Sequence, residues 1–505
     1  MHPAYRRLLR EVTEITLLQS VQSLLAWDQE TCMPSRAAPT RESQSALLAK
    51  NTHQRLVAPE MGELLETLRE VDRHGQLDPE QAAHLREVRR AHHRGKRLPG
   101  ELVEQLARAR ARGVQTWLRA RRQRDFELFA PVLREMVSLQ RQVANAYGYE
   151  ESVYDPLLDE YEPGMTCRQM EVVFGEVKGK LIRWVASCEA VVEVKKSLEA
   201  VEIPSAPQQA ALANWAARAI GFDFQRGRLD ESVHPFTLGI SSRDVRLTNR
   251  FSWADPVRVV LATLHEAGHG LYRQAIDPKY DGTLLGQPTS CGMDEAQARL
   301  WENMIGRSRA FWTFARRRMQ KLLGGDNGLA VADEIHDRIN GVRPSPVRID
   351  ADEVTYNLHI ILRFEIEREL LAGGIDVEEL PSLWNRRMEE YLGVYPRDDA
   401  EGILQDIHWA DGCFGYFPTY TLGNLYAAQI FAAACADLPH IEAQIERGCF
   451  APLRRWLREK VYRHGRRFTA TELMVRATGK PPSSESFLNY LKAKVSLKSG
   501  RRRSV

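Results

Sequence analysis

The chain has 505 residues, 43% of them hydrophobic and 27% charged, and its 70 Lys and Arg nearly balance its 67 Asp and Glu, for a net charge of +3. That supports a large buried core and argues against a strongly basic nucleic-acid binder or a charged, unfolded tail. No run approaches the ~20 apolar residues of a membrane span, the opening Met1-His2-Pro3-Ala4-Tyr5-Arg6-Arg7 lacks a signal-peptide apolar block, and seven scattered cysteines without a CxxC make neither a disulfide framework nor a structural zinc site. The expectation is a cytoplasmic protein with no membrane partner.

Most of the chain reads as helix. Apolar residues recur at spacings of three and four over 5–25, 60–72, 79–93, 99–123, 126–147, 168–199, 206–220, 352–372 and 376–392. Between Arg86 and Arg124 thirteen Lys and Arg stand against three acids, Glu87, Glu101 and Glu104. Trp117 is the one aromatic residue in that run, so it reads as the solvated side of long helices rather than a nucleic-acid face. No repeat of 20 to 50 residues and no low-complexity linker divides the chain, which predicts one domain over 1–505.

The helical pattern breaks at Phe236-Thr237-Leu238-Gly239-Ile240 and Val245-Arg246-Leu247-Thr248, two β-prone runs that predict a small antiparallel hairpin. An edge of such a sheet can pair with an extended peptide. Asp255-Pro256 then signals a helix start, an N-cap oxygen before a proline at the first helical position. Val257, Val260, Leu261, Leu264 and Leu271 give that helix an apolar face.

On this helix lies His265-Glu266-Ala267-Gly268-His269. At about 100° per residue the two histidines fall about 40° apart, so both imidazoles can reach one ion. Glu266 falls about 60° beyond His269, where its carboxylate can face a water on that ion. A catalytic zinc takes three protein ligands and keeps one position open. The third ligand belongs on the next helix, beyond Pro278, Gly282, Gly286, Pro288 and Gly292. Glu295 is favoured, with Glu302 as the rival and Asp294 as a third choice. Two later stretches, 402–409 and 412–423, combine Gly and aromatics with Gln405, Asp406 and His408 in the manner of pocket-lining loops.

Together these residues resemble the carboxypeptidase Taq family of zinc metallocarboxypeptidases. His234-Pro235-Phe236 matches its HPF motif, Asp244-Val245-Arg246-Leu247-Thr248 its DxRxT, 265–269 its HExxH, and 402–409 its GxxQDxHW. Likeness extends from Trp27-Asp28-Gln29-Glu30 to Ala477-Thr478-Gly479-Lys480-Pro481. The resemblance implies a single helical fold split by a deep active-site groove, with residues 1–200 as a helical lid and 201–505 as the metal-binding core. It implies His265, His269 and Glu295 as ligands of one Zn2+ per chain, with Co2+ able to replace it, and Glu266 as general base. It also implies that Arg348 and Tyr420 contact the substrate's free C-terminus and that His234 acts as an electrophile. His408 belongs to the same substrate-binding set. Arg246, Gln405 and Asp406 would close the far end of the groove. The implied activity is release of C-terminal residues one at a time with broad preference, in a homodimer; a helical zinc oligopeptidase is the alternative. The chain departs from the family at Asp294, where histidine is usual, and at Cys413, where a small polar residue is common.

Overall fold

The computed structural model describes residues 1–187, 203–323 and 332–500. Among these residues there are twenty α-helices and one three-stranded sheet, so the fold is mostly α as expected. The helix expected over 168–199 is present as Cys167–Ser187. Its continuation, and the end of the basic tail from Arg501, lie outside the described residues.

The chain forms two compact units, each assembled from three stretches of sequence. The first comprises Met1–Lys96, Ser197–His336 and Ile430–Pro481; the second comprises Arg97–Lys196, Asp337–Gln429 and Pro482–Val505.

In the first unit, helix α1 (Pro3–Thr31) buries Tyr5, Leu8, Val12 and Ile15 in a cluster with Met61, Leu64, Leu65, Leu68, Leu85 and Val88. Their three-and-four spacing makes one apolar face, and burying such a side chain contributes about 1.5–3 kcal/mol. Helix α2 (Ala38–Leu56) buries only Thr52. The sheet has strands β1 (Gly227–Glu231), β2 (Thr237–Ser241) and β3 (Asp244–Asn249) in the order β1-β3-β2. The expected hairpin is β2-β3, antiparallel with Thr237 opposite Leu247. The sheet as a whole is mixed rather than antiparallel, because β1 adds to β3 in parallel. Strand β1 reads Gly-Arg-Leu-Asp-Glu, which has little β propensity and sits at an edge, so it gave no alternating signal.

Helix α3 (Pro256–Ala275) begins as its caps predict. The Asp255 carboxylate accepts from Val257 N at 2.9 Å, a cap worth about 1 kcal/mol. It packs on the sheet, on the helix Ala206–Ile220 and on helix α4 (Cys291–Arg299). Ser290 caps α4 by accepting from Met293 N at 3.0 Å. The chain then continues through a π-helical turn, Leu300–Ile305. A Cβ on Gly268 would lie 2.7 Å from both Ala298 Cα and Gln297 O, so α3 and α4 meet where α3 has no side chain.

In the second unit, helix α5 (Tyr356–Ala372) is buried nearly all round, and its buried set includes His359, Arg363 and Glu367. The segment 402–417 folds against it: Trp409 Nε1 donates to Glu367 Oε1 at 2.8 Å and Gly415 N to Glu367 Oε2 at 3.2 Å. Tyr154 OH donates to the same Oε2 at 2.7 Å. The stretch 412–423, read from sequence as a loop, becomes helical from Pro418. That helix is buried on most sides and has no polar face to give a period.

Candidate active site

Helices α3 and α4 bring His265, His269 and Glu295 together, with one donor atom of each within 4.8 Å of the others. Glu295 Oε2 is 3.9 Å from Nε2 of both histidines. Ligand bonds of about 2.0–2.1 Å at a tetrahedral angle need about 3.3–3.4 Å. Both glutamate–histidine separations are thus about half an ångström longer than a bound small cation requires.

The outer atom of each of the three side chains faces a charged partner. His265 Nδ1 faces Glu302 Oε2 at 2.9 Å. His269 Nδ1 lies 3.1 Å from Asp294 Oδ1, off line for a full hydrogen bond. Glu295 Oε1 accepts from Arg299 Nε at 2.6 Å. The free electron pairs left over are those of Nε2, Nε2 and Oε2. Carboxylate partners on imidazole Nδ1 fix the tautomer that donates Nε2 to a metal.

The electrostatics suit a cation. Burial pushes the His265 imidazolium down, but Glu295, Glu302 and Glu266 outweigh it and raise its pKa to about 9. Burial alone would raise the carboxyls of Glu295 and Asp294. Arg299 and both histidines hold the first low, and Arg273 with both histidines holds the second low. Glu302 is held low by Arg299, His265 and Arg307 against the same burial. Glu266 is buried, and its Oε2 accepts from Thr237 Oγ1 at 2.7 Å.

Glu302 and Asp294, weighed from sequence as ligands, therefore occupy the outer nitrogens of the two histidines. Sequence reasoning missed Thr237, Arg273 and Arg299. The signal for Arg299 was present: it lies four residues after Glu295 on one helical face. Arg246 pairs with Asp244 through two 3.0 Å bonds, and its guanidinium lies 4.3 Å from the Trp27 ring centroid. His234 is exposed, and its carbonyl accepts from Ser232 Oγ at 2.6 Å.

The second unit gathers the remaining candidates around Arg348. Asp406 Oδ1 accepts from Arg348 Nε at 3.0 Å and Nη2 at 2.7 Å, while Asp406 Oδ2 accepts from Arg363 Nε at 2.7 Å. Burial opposes charge on Asp406, but the two arginines hold it ionised. Gln405 Oε1 accepts from Arg348 N at 2.8 Å, and its amide donates to the carbonyls of Pro346, Glu401 and Gly402. Tyr356 OH accepts from Arg348 Nη1 at 3.1 Å, and the Tyr420 ring lies 5.2 Å from the guanidinium carbon. His408 Nε2 is 3.2 Å from Tyr420 OH, and burial pushes its pKa down to about 4, so it is neutral near pH 7. Two buried guanidiniums thus share one carboxylate, which leaves a positive charge suited to an anion.

This chain belongs to the carboxypeptidase Taq (M32) metallopeptidase family, whose profile matches residues 7–495. It is 38% identical to thermostable carboxypeptidase 1 of Thermus thermophilus over 97% of this chain and 98% of that protein. It is 35% identical to carboxypeptidase 1 of Bacillus subtilis over 94% of each. The crystal structure of the M32 carboxypeptidase from Deinococcus radiodurans R1 superposes with a TM-score of 0.93 at 37% identity, covering 98% of this chain and 99% of that one. The protein is a metallocarboxypeptidase, a peptide hydrolase that uses a divalent metal.

Proposed function

We propose that the enzyme is a zinc carboxypeptidase that releases C-terminal residues of broad side-chain type, with His265, His269 and Glu295 holding one ion. The observation that carries this reading is the donor trio whose outer atoms each face a charged partner, leaving the inner atoms turned toward one another. Cobalt suits the same set, because nitrogen and carboxylate donors of this geometry do not select between the two. When bound, zinc polarises the scissile carbonyl and lets water act as a nucleophile near neutral pH. Glu266 accepts the proton of the attacking water on its carboxylate and passes it to the leaving amine. Arg348, held by Asp406, offers its remaining N–H groups to the substrate's terminal carboxylate, and Tyr420 donates to the same carboxylate or to the developing oxyanion. His408 stays neutral beside Tyr420 and positions its hydroxyl. His234 and Arg246 belong to the peptide-binding face of the sheet, and Gln405 and Asp406 act by holding Arg348. The working form is a homodimer in the cytoplasm.

Product analysis by mass spectrometry tests this reading. Peptides with a free C-terminus should be trimmed one residue at a time, their amidated forms should resist, and a chelator should stop the reaction until zinc is restored. Internal cleavage of amidated peptides would establish an oligopeptidase instead.

A further inference from the structure

We infer that Thr237 is the positioning residue of the general base: its hydroxyl holds one oxygen of Glu266 so that the other is presented to the attacking water. The inference rests on the reading of Glu266 as base. Thr237 opens strand β2, whose hairpin partner β3 and helix α3 fix its backbone. Its Oγ1 lies 2.7 Å from Glu266 Oε2 and 3.0 Å from Glu266 O. A hydroxyl has one proton, and the contact to Oε2 is the shorter of the two, so the proton lies toward Oε2. Among the described residues no hydrogen bond reaches Oε1. The two oxygens of a buried carboxylate are thereby made inequivalent, one tied and one free.

The asymmetry has a chemical use. The terminal torsion of a glutamate is broad and roughly two-fold, so an unheld carboxylate presents its oxygens at a range of angles. General-base catalysis needs an oxygen within hydrogen-bond reach of the water. Tying Oε2 to a strand fixes that torsion. The same strand serves the site again two residues on: a Cβ at Gly239 would lie 3.1 Å from Arg273 Cδ, and Arg273 donates to Asp294 behind His269. One face of β2 therefore supports the base directly and a ligand at second hand.

The test compares Thr237→Val, Thr237→Ser, Glu266→Gln and the Thr237→Val/Glu266→Gln double variant on an N-blocked dipeptide, with zinc affinity measured by chelator competition. Thr237→Val should lower kcat by about 10- to 100-fold with KM and zinc affinity near those of the parent. Thr237→Ser should recover most of the loss. In the Glu266→Gln background Thr237→Val should cost nothing further. The inference is overturned if Thr237→Val retains full kcat, if Ser is as poor as Val, or if the losses multiply in the double variant. Should the valine protein not fold, Thr237→Ala against Thr237→Ser makes the same comparison. An active Glu266→Gln enzyme would instead defeat the reading of the base itself.

Discussion

Glu302 Oε2 stands 2.9 Å from Nδ1 of His265, on the opposite side of the ring from the nitrogen that faces Glu295. The two glutamates lie seven residues apart on one helical face, yet they serve the histidine differently. Glu302→Ala should keep a metal site with affinity reduced by about 10- to 100-fold, the usual cost of losing an orienting partner. Glu295→Ala should fail to retain the ion through purification. Metal analysis of the two proteins after dialysis separates the roles.

Asp294 sits between His269 and Arg273, donating to neither and accepting from Arg273 Nη2 at 2.6 Å. Replacing it with the histidine usual in the family should weaken the site here. A third imidazole would leave the half-buried Arg273 without its carboxylate, which costs about 1–3 kcal/mol for a charged group left unmatched. Thermal unfolding should show Asp294→His less stable than Asp294→Asn, and zinc titration should show both weaker than the parent. Equal or higher stability of the histidine protein would count against this pairing.

Gly268→Ala places a methyl against the backbone of Ala298. The helices must separate, at about 1–3 kcal/mol for an overpacked contact. Glu295, one turn before the contact, should move with α4. Zinc affinity should fall more steeply than thermal stability, which differential scanning calorimetry and chelator competition measure independently.

Arg348→Ala should cost about 2–5 kcal/mol in kcat/KM on peptides with a free C-terminus, the range for truncating one side of a buried charge pair. It should change little on amidated peptides, which start poor. Lysine should recover only part, since a point charge cannot hold Asp406 and a second carboxylate in one planar fork. Zinc content near that of the parent excludes a general collapse.

Glu367 gives a pH signature. Burial raises its carboxyl to about 7, even against the donors Tyr154, Trp409 and Gly415. A raised folded pKa means that its contribution to stability is full below about 4.5 and is lost as pH climbs through 7. The loss amounts to at most ~3 kcal/mol at pH 8. Denaturant titrations at pH 5 and pH 8 should show this decline, and Glu367→Gln should flatten it. An unchanged slope in the glutamine protein would assign the pH dependence to other groups.

The metal helix was legible in the sequence because its information is local. Asp255-Pro256 caps it, and five apolar residues mark its face. The two histidines and Glu266 then follow from period alone. Glu295 and Glu302 could not be told apart locally, since both project from one face and only the packing of α4 on α3 sets Glu295 beside both Nε2 atoms and Glu302 beside Nδ1 of His265. Thr237 escaped notice because a threonine in a β-prone run needs no further explanation. The helix starting at Pro418 was hidden by its opening: Gly, Phe, Tyr and Pro announce a loop, and burial on most sides removes the amphipathic period that would contradict them. Strand β1 was silent for the opposite reason, being too polar to read as a strand.

The interleaved construction of the units has a consequence for synthesis. Thr13 Oγ1 on α1 donates to Gly282 O, a partner 269 residues away. Trp301 Nε1 donates to Tyr462 OH, 161 residues further along the chain than itself. At about 5–20 residues per second, α1 leaves the ribosome tens of seconds before Gly282 exists. Thr13 spends that interval without its acceptor. The first unit cannot close until the stretch ending at Pro481 has been made, almost the whole chain. A first unit complete enough to hold a metal is therefore a late event in the life of each molecule.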